Sequence, residues 1–388
     1  MMYRLLKNAD IIGTEEIIPG ADLLIADDRI MEINRAGNIP KKRCNEVIDL
    51  KGKFYAAPGF IDIHVHGAAG REINEGIPEA WKEISQFKLS CGTTGYLATI
   101  LTSSRERTAE LCRKLAGFLA GNSPAANMLG VHCEGPFINP EQKGAQNEEY
   151  IRRPSLPEVK NWQEILGEYL KIVSLAPELE GALEIINYAD EQDIITAAAH
   201  TGADYERMQQ VYEAGLELGA HFFNGMKEFH HRNPGVIGAF LERKSRPVEI
   251  IADGVHLHPA TVNMVIQNKG CENVIAVTDA MRGAGIEDGQ YELGGVEISV
   301  QQGVARCQDG SLAGSTLTMN QALKNIIKFT GIDLPSACRL LSTNPAELLN
   351  LTDRGRLAAG KKADIVLLDE DLNVKTTIIS GEIVYDER

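Results

Sequence analysis

The feature that most constrains this chain is an alternation, sustained from about residue 56 to residue 356, of short apolar runs with helical stretches such as EAWKEISQFKLSC, RERTAELCRKLAGFLAG and YERMQQVYEAGLELG. Such alternation implies βα units around a parallel sheet. Eight runs qualify as strands: FIDIHV, GYLATIL, NMLGVHCE, KIVSLAP, IITAAAH, AHFFN, VEIIADGVH and NVIAVTDA. Eight strands close a barrel, so the expected fold class is α/β, a (β/α)8 TIM barrel, which takes ~250 residues and carries its active site at the C-terminal ends of its strands. An open, doubly wound sheet is the alternative topology. No internal repeat or low-complexity segment competes with either.

The two ends have a different texture. Residues 1–55 (YRLLKNADIIG, ADLLIADDRIMEIN, NEVIDLKGKFYAAPG) and residues 357–388 read as short alternating strands broken by turns, with Gly360 and Gly381 at two of them. Neither end can fill a core alone. They are expected to pair into one small β-sandwich-like domain, with the barrel of residues 56–356 inserted between them.

With 388 residues, 44% of them hydrophobic, one large core is within reach. The apolar runs are strand-sized, short of the ~20 residues of a membrane span, and Asn8 and Asp10 interrupt the N-terminus before an apolar signal-peptide core can form. Seven scattered cysteines, an odd number with no C-x-x-C, argue for reduced thiols and a cytoplasmic protein. A net charge of −15 without any run of Lys or Arg argues against nucleic acid and anionic membranes as partners. An anionic small substrate would need a dedicated cationic pocket.

Polar residues fall where a barrel would use them. His64 and His66 close strand one in PGFIDIHVHG, and the period of two puts them on one face with Asp62 behind. Strand three ends with His132 and Glu134, strand five with His200, strand six with His221 and strand eight with Asp279; strand seven adds Asp253 and His256. One histidine at a strand end is more often a hydrogen-bonded loop residue than a ligand. The chain has only nine, and scattered structural histidines have no reason to collect at one rim. Imidazole and carboxylate without thiolate suit Zn, Fe, Mn, Co or Ni at a catalytic site. Such an ion lowers the pKa of water from ~15.7 toward ~7 and polarises a carbonyl; two ions ~3.5–4 Å apart could divide those tasks, with Glu134 between them. Asp279 then suits proton transfer from water to a leaving amine. His132 could be a supporting or a substrate-facing group, and Cys133, on the opposite face, reads as core.

Together PGFIDIHVHG, GVHCEGPFIN, KGAQ, AAAHTG, HFFNGM, HHRNPG, IIADGVHLHP, VTDAM and LAGSTLTM make the chain resemble the amidohydrolase superfamily, and within it the N-acetylglucosamine-6-phosphate deacetylases, over nearly its whole length. HxEGPF with HxFNxM and ADGxH is specific to that group. The resemblance implies that Glu134, His200 and His221 bind metal and that Asp279 is the acid/base. It implies that Asn224 and Gly225 hold a sugar phosphate and that Ala145, Gln146, Asp253, His256, Leu312, Ala313 and Gly314 are among the residues around the sugar. Arg232 aligns with a phosphate-binding arginine that reaches into the neighbouring subunit's site, which implies a homodimer. Members without the His-x-His pair use one metal; this chain keeps His64 and His66, so two divalent ions per subunit are implied. One position departs from the pattern: Gln146 occupies the place where many members have a histidine that polarises the acetyl carbonyl, and a Gln donates a hydrogen bond but carries no charge.

The expected reaction is hydrolysis of the acetamide of N-acetylglucosamine 6-phosphate to glucosamine 6-phosphate and acetate. The galacto epimer or another N-acyl amine, such as an N-acyl amino acid, is the alternative within the same chemistry. A non-catalytic barrel protein is the alternative outside it, and its mark, loss of ligands, is missing here. His230, His231 and Arg232 form the one local cationic cluster, and the bidentate fork of Arg232 suits phosphate. GIEDGQYELGGVEISV reads as a hairpin after strand eight with no required role.

Overall fold

The computed structural model describes residues 2–35, 39–40, 44–121 and 128–388. Eight strands follow one another in the barrel sheet: β1 (Phe60–Val65), β2 (Thr93–Ile100), β3 (Met128–Glu134), β4 (Leu170–Leu175), β5 (Ile195–Ala198), β6 (Leu218–Gly219), β7 (Val248–Ile250) and β8 (Val274–Ala276). Each hydrogen-bonds to the next in chain order. The ring closes where Val65 makes a parallel bridge to Ala280, with the Asp279 N–H donating to the His64 carbonyl at 3.0 Å and the His66 N–H to the Ala280 carbonyl at 2.9 Å. A helix comes after each strand: α1 (Pro78–Ser90), α2 (Arg105–Ala120), α3 (Leu156–Leu166), α4 (Ala182–Glu191), α5 (Tyr205–Glu213), α6 (Gly235–Glu242), α7 (Pro259–Lys269) and α8 (Met319–Thr330). The fold is therefore the expected (β/α)8 barrel, and the open sheet is excluded.

Apolar runs became strands because parallel strands are covered on both faces: every residue of β1 and β2 is buried. Later strands are shorter than the runs suggested. β6 is Leu218–Gly219, ahead of the AHFFN run, whose residues turn out of the sheet instead. β7 and β8 stop at Ile250 and Ala276. After β5, β6 and β8 the physical reason lies at the rim, where His200, His221 and Asp279 all take left-handed backbone, at φ 45°, 29° and 48°. That conformation ends a strand and turns the side chain inward, and in a non-glycine residue it is a strain typical of functional positions.

The chain divides into two compact units: Ile63–Ser85 with Tyr96–Thr318, and Met1–Asp62 with Gln86–Gly95 and Met319–Arg388. The second unit contains one sheet built from both chain ends. Its order is Glu382–Asp386, Val374–Ile379, Ile365–Leu368, Tyr55–Pro58, Tyr3–Ile12, Ile17–Ala26 and Arg29–Arg35, with Glu46–Asp49 also paired to Tyr3–Ile12. The ends join where Ile365–Leu368 runs antiparallel to Tyr55–Pro58, Ile365 opposite Pro58. Leu6, Ile11, Leu23, Ile25, Ile365, Leu367 and Ile378 form its core. Asp62 belongs to this unit too, as the buried partner of Lys88 at 2.8 Å.

Between β8 and α8 the expected hairpin has a third strand: Gly289–Leu293, Val296–Gln301 and Val304–Cys307 form an antiparallel sheet. Its Leu293, Ile298, Val300 and Ala305 pack with Leu101, Met281 and Ala313.

Candidate active site

Four histidines aim the same ring nitrogen at one carboxylate. Glu134, the last residue of β3, has Oε1 3.3 Å from His64 Nε2, 3.2 Å from His200 Nε2 and 3.0 Å from His221 Nε2. Its Oε2 is 3.3 Å from His66 Nε2. Asp279 Oδ1 lies 3.0 Å from His66 Nε2 and 3.8 Å from His64 Nε2. Glu134 thus lies between two nests, His200 with His221 and His64 with His66 and Asp279, its Oε1 facing His200, His221 and His64 and its Oε2 facing His66.

The Nδ1 atoms explain why the Nε2 atoms point inward. Those of His66, His200 and His221 face the carbonyls of Thr99, Gln142 and Asn224 at 3.3, 2.9 and 2.9 Å. A carbonyl can only accept, so each Nδ1 carries the hydrogen and each Nε2 is free to ligate when the ring is neutral. His64 Nδ1 faces Glu249 Oε2 at 2.9 Å. Its buried Nε2 has no hydrogen-bond partner among the described residues, an expensive condition for a polar atom unless something else occupies that side. Buried imidazoles and carboxylates without a thiolate match a divalent ion of the Zn, Fe, Mn, Co or Ni kind. The residues fit a metal.

Burial pushes the His66 pKa down, but hydrogen bonds and charge from Asp279 and Glu134 outweigh it and raise it to about 9. Burial likewise opposes protonation of His64, yet Glu249, Glu134 and Asp279 hold its pKa well above the usual imidazole value. For Asp279 burial acts upward and the neighbouring His64 and His66 downward, leaving the carboxyl at about 2. Glu134 is held well below its usual value by His64, His200 and His221 against the same burial.

Beside this cluster is a cavity of about 330 Å³, the size class of a small-molecule site. Of the substrate-side candidates, Ala145, Gln146, Asn224, Gly225, His256, Leu312 and Gly314 line it with His66, Glu134, His200, His221 and Asp279. Ala313 is buried in the neighbouring apolar cluster. Asp253 stands behind His256: its Oδ2 faces His256 Nδ1 at 2.6 Å and its Oδ1 accepts from the N–H groups of Val255 and His256, both at 2.8 Å. Arg232 is exposed, pairs with His231 Nε2 at 2.8 Å, and is not among the lining residues; these include no Lys or Arg.

Gln146 donates from Nε2 to Glu134 Oε2 at 2.5 Å and accepts the Thr102 N–H at 3.0 Å. It braces the carboxylate between the nests. His132 is committed on both nitrogens, Nδ1 to the Ile63 carbonyl at 3.1 Å and Nε2 to Ser174 Oγ at 2.7 Å, and burial beside His64 lowers its pKa to about 3. It packs against the His64 ring as a neutral support.

Sequence reasoning missed Glu249, Leu101, Phe223, Leu293 and Ser311. The last four line the cavity, and Leu293 comes from the excursion given no role. A carboxylate inside the apolar run VEII was the available signal for Glu249, since a buried Glu needs a partner.

The amidohydrolase family profile matches residues 55–384. The chain is similar to the N-acetylglucosamine-6-phosphate deacetylase of Lysinibacillus sphaericus, 34% identical over 379 residues that cover 98% of this chain and 97% of that one. It is also 34% identical, over 330 residues, to an N-acetylgalactosamine-6-phosphate deacetylase of Escherichia coli, covering 84% of this chain and 86% of that one. Among solved structures, a mutant N-acetyl-D-glucosamine-6-phosphate deacetylase of Mycobacterium smegmatis in complex with N-acetyl-D-glucosamine-6-phosphate matches with a TM-score of 0.92 at 30% identity, over 99% of this chain and 100% of that one.

Proposed function

The chain belongs to the amidohydrolase family, and on that premise we propose that it hydrolyses the acetamide of N-acetyl-D-glucosamine 6-phosphate, giving acetate and D-glucosamine 6-phosphate. The observation that carries this reading is the convergence of four histidine Nε2 atoms on Glu134, with the Asp279 carboxylate against His66 and His64, beside a cavity of about 330 Å³. Glu134, His200 and His221 would hold one divalent ion; His64, His66 and Asp279 would hold a second, with Glu134 shared. Such ions supply Lewis acidity toward the acetyl carbonyl and make water acidic near neutral pH.

The chain's own residues move the proton. Asp279 is ionised at rest, so it accepts a proton from water as the oxygen attacks the acetyl carbon. It then gives that proton to the departing nitrogen as the C–N bond breaks. An amine is a far stronger base than a carboxylate, so this second transfer runs downhill. With its Nδ1 turned to Asp253, His256 presents Nε2 to the cavity for a substrate oxygen. The Asn224–Gly225 turn lies beside the metal residues and would hold the phosphorylated end, and Arg232 of a second copy would supply the cation that the lining residues lack. That arrangement makes the working unit a homodimer, and the seven scattered cysteines, read as reduced thiols, support a cytoplasmic location.

The galacto epimer is the second reading, favoured by the equal identity of the Escherichia coli relative and by Gln146. The test of the mechanism is Asp279→Asn. The variant keeps the ion of Glu134, His200 and His221, which Asp279 does not ligate, and binds substrate, while kcat falls by about 10²–10⁴-fold, the range of a lost general acid/base. A near-native kcat would assign the proton transfer to another residue.

A further inference from the structure

Glu249 is fully buried on β7, inside the barrel and outside the cavity lining. Burying a carboxylate is costly unless it is paired and hydrogen-bonded. The mechanism above gives it no task. A single oxygen, Oε2, takes two bonds: from His64 Nδ1 at 2.9 Å and from the backbone N–H of His221 at 3.0 Å. These two residues belong to different nests, and His221 is the one on left-handed backbone at φ 29°.

His64, His132 and Glu249 could themselves be taken for a third metal nest. The hydrogen bonds argue otherwise. Both His132 nitrogens are engaged, with the Ile63 carbonyl and Ser174, and His64 Nδ1 faces Glu249, so His64 Nε2 is the one bare nitrogen and it points away, toward Glu134 and Asp279. Of the four histidines that face Glu134, His66, His200 and His221 are oriented by backbone carbonyls and His64 alone by a side chain.

We infer that Glu249 is a positioning residue for the metal site: it fixes the proton of His64 on Nδ1, keeps Nε2 bare, and ties the His64 half of the site to the backbone of His221 in the other half. Outer partners of this kind are worth about 10–100-fold in metal affinity. The inference rests on the proposed reading that His64 and His66 hold an ion.

Glu249→Gln tests it. An amide oxygen in place of Oε2 can accept both bonds, but without charge, and charge-assisted bonds are about twice as strong as neutral ones. The full-length protein is stripped of metal and titrated with Co²⁺ against a chromophoric chelator, with the visible spectrum recorded for each equivalent. The native protein is expected to bind two ions. The Gln variant binds the first normally and the second, at His64 and His66, about 10–100-fold more weakly with an altered spectrum, while its metal-free melting temperature and circular dichroism match the native protein. Glu249→Asp, which keeps the charge and retracts the oxygen, substitutes for Gln if that variant does not fold, and is expected to weaken the same ion. Two ions bound with native affinity and spectrum in a folded variant would overturn the inference and leave the two-metal reading intact. A native protein that binds fewer than two ions would overturn that reading, and the inference with it.

Discussion

Replacing Gly225 by alanine strikes the metal site through a single methyl group. Gly225 has φ +60°, and a Cβ built there would lie 2.8 Å from His200 Nδ1 and 3.3 Å from its Cε1. Two costs follow, and they can be separated. Left-handed backbone costs a non-glycine residue ~1–2 kcal/mol. Gly52, at φ +66° with nothing within 4 Å of its built Cβ, carries the first cost without the second. His200 cannot simply turn away, because its Nδ1 is bonded to the Gln142 carbonyl at 2.9 Å while Nε2 faces Glu134 at 3.2 Å. Overpacking of this kind costs ~1–3 kcal/mol, and here it falls on a residue that would ligate metal. At about 1.4 kcal/mol per factor of ten, Gly225→Ala is expected to weaken the Glu134, His200 and His221 ion by about 10–100-fold. Gly52→Ala should lose only ~1–2 kcal/mol of stability and bind metal normally. Thermal unfolding of the metal-free proteins measures the first cost, and chelator competition for Co²⁺ measures the second. Equal metal affinity in the two variants would refute the steric argument.

Two further outcomes are expected. Arg232→Ala raises KM for the phosphorylated sugar far more than for its unphosphorylated parent, and equal effects on both would remove Arg232 from the phosphate site. Because the His66 pKa is raised from 6.5 to about 9 in the metal-free cluster, its proton stabilises the metal-free fold fully below pH 6.5, and that contribution is lost as pH rises through about 9. Metal loading at pH 7 must expel the proton, so calorimetry in buffers of different ionisation enthalpy should show proton release, and metal affinity should climb with pH up to about 9. Loading without proton release would contradict the electrostatics of the cluster.

The barrel was legible because parallel strands buried on both faces leave a simple mark, an apolar run between helical stretches. His64 and His66 were legible because both lie at the end of a regular strand, where the period of two holds. His200, His221 and Asp279 could be picked out by type and position but not oriented, since each lies on left-handed backbone just past a strand end, where alternation no longer predicts direction. Their aim is set instead by long-range partners, such as the Gln142 carbonyl for His200. Gln146 aligns with a histidine that meets the substrate and lines the cavity, and its contact with Glu134 could not be read from the sequence. Glu249 was hidden for a related reason: in an apolar strand one carboxylate gives no sign of which distant imidazole it will meet, 185 residues away along the chain. The excursion after β8 carries no polar motif, so its contribution of Leu293 to the cavity was visible only in three dimensions.

The central claim is that this cluster deacetylates a hexosamine phosphate, and a time course of acetate release tests it most directly. Metal-analysed protein is given N-acetylglucosamine 6-phosphate, its galacto epimer and unphosphorylated N-acetylglucosamine in parallel. The account predicts fastest release from the gluco phosphate, with about two metals per chain. Release from the galacto phosphate alone would keep the chemistry and contradict the substrate, and no release from any of the three with the metal sites filled would contradict the deacetylase reading itself.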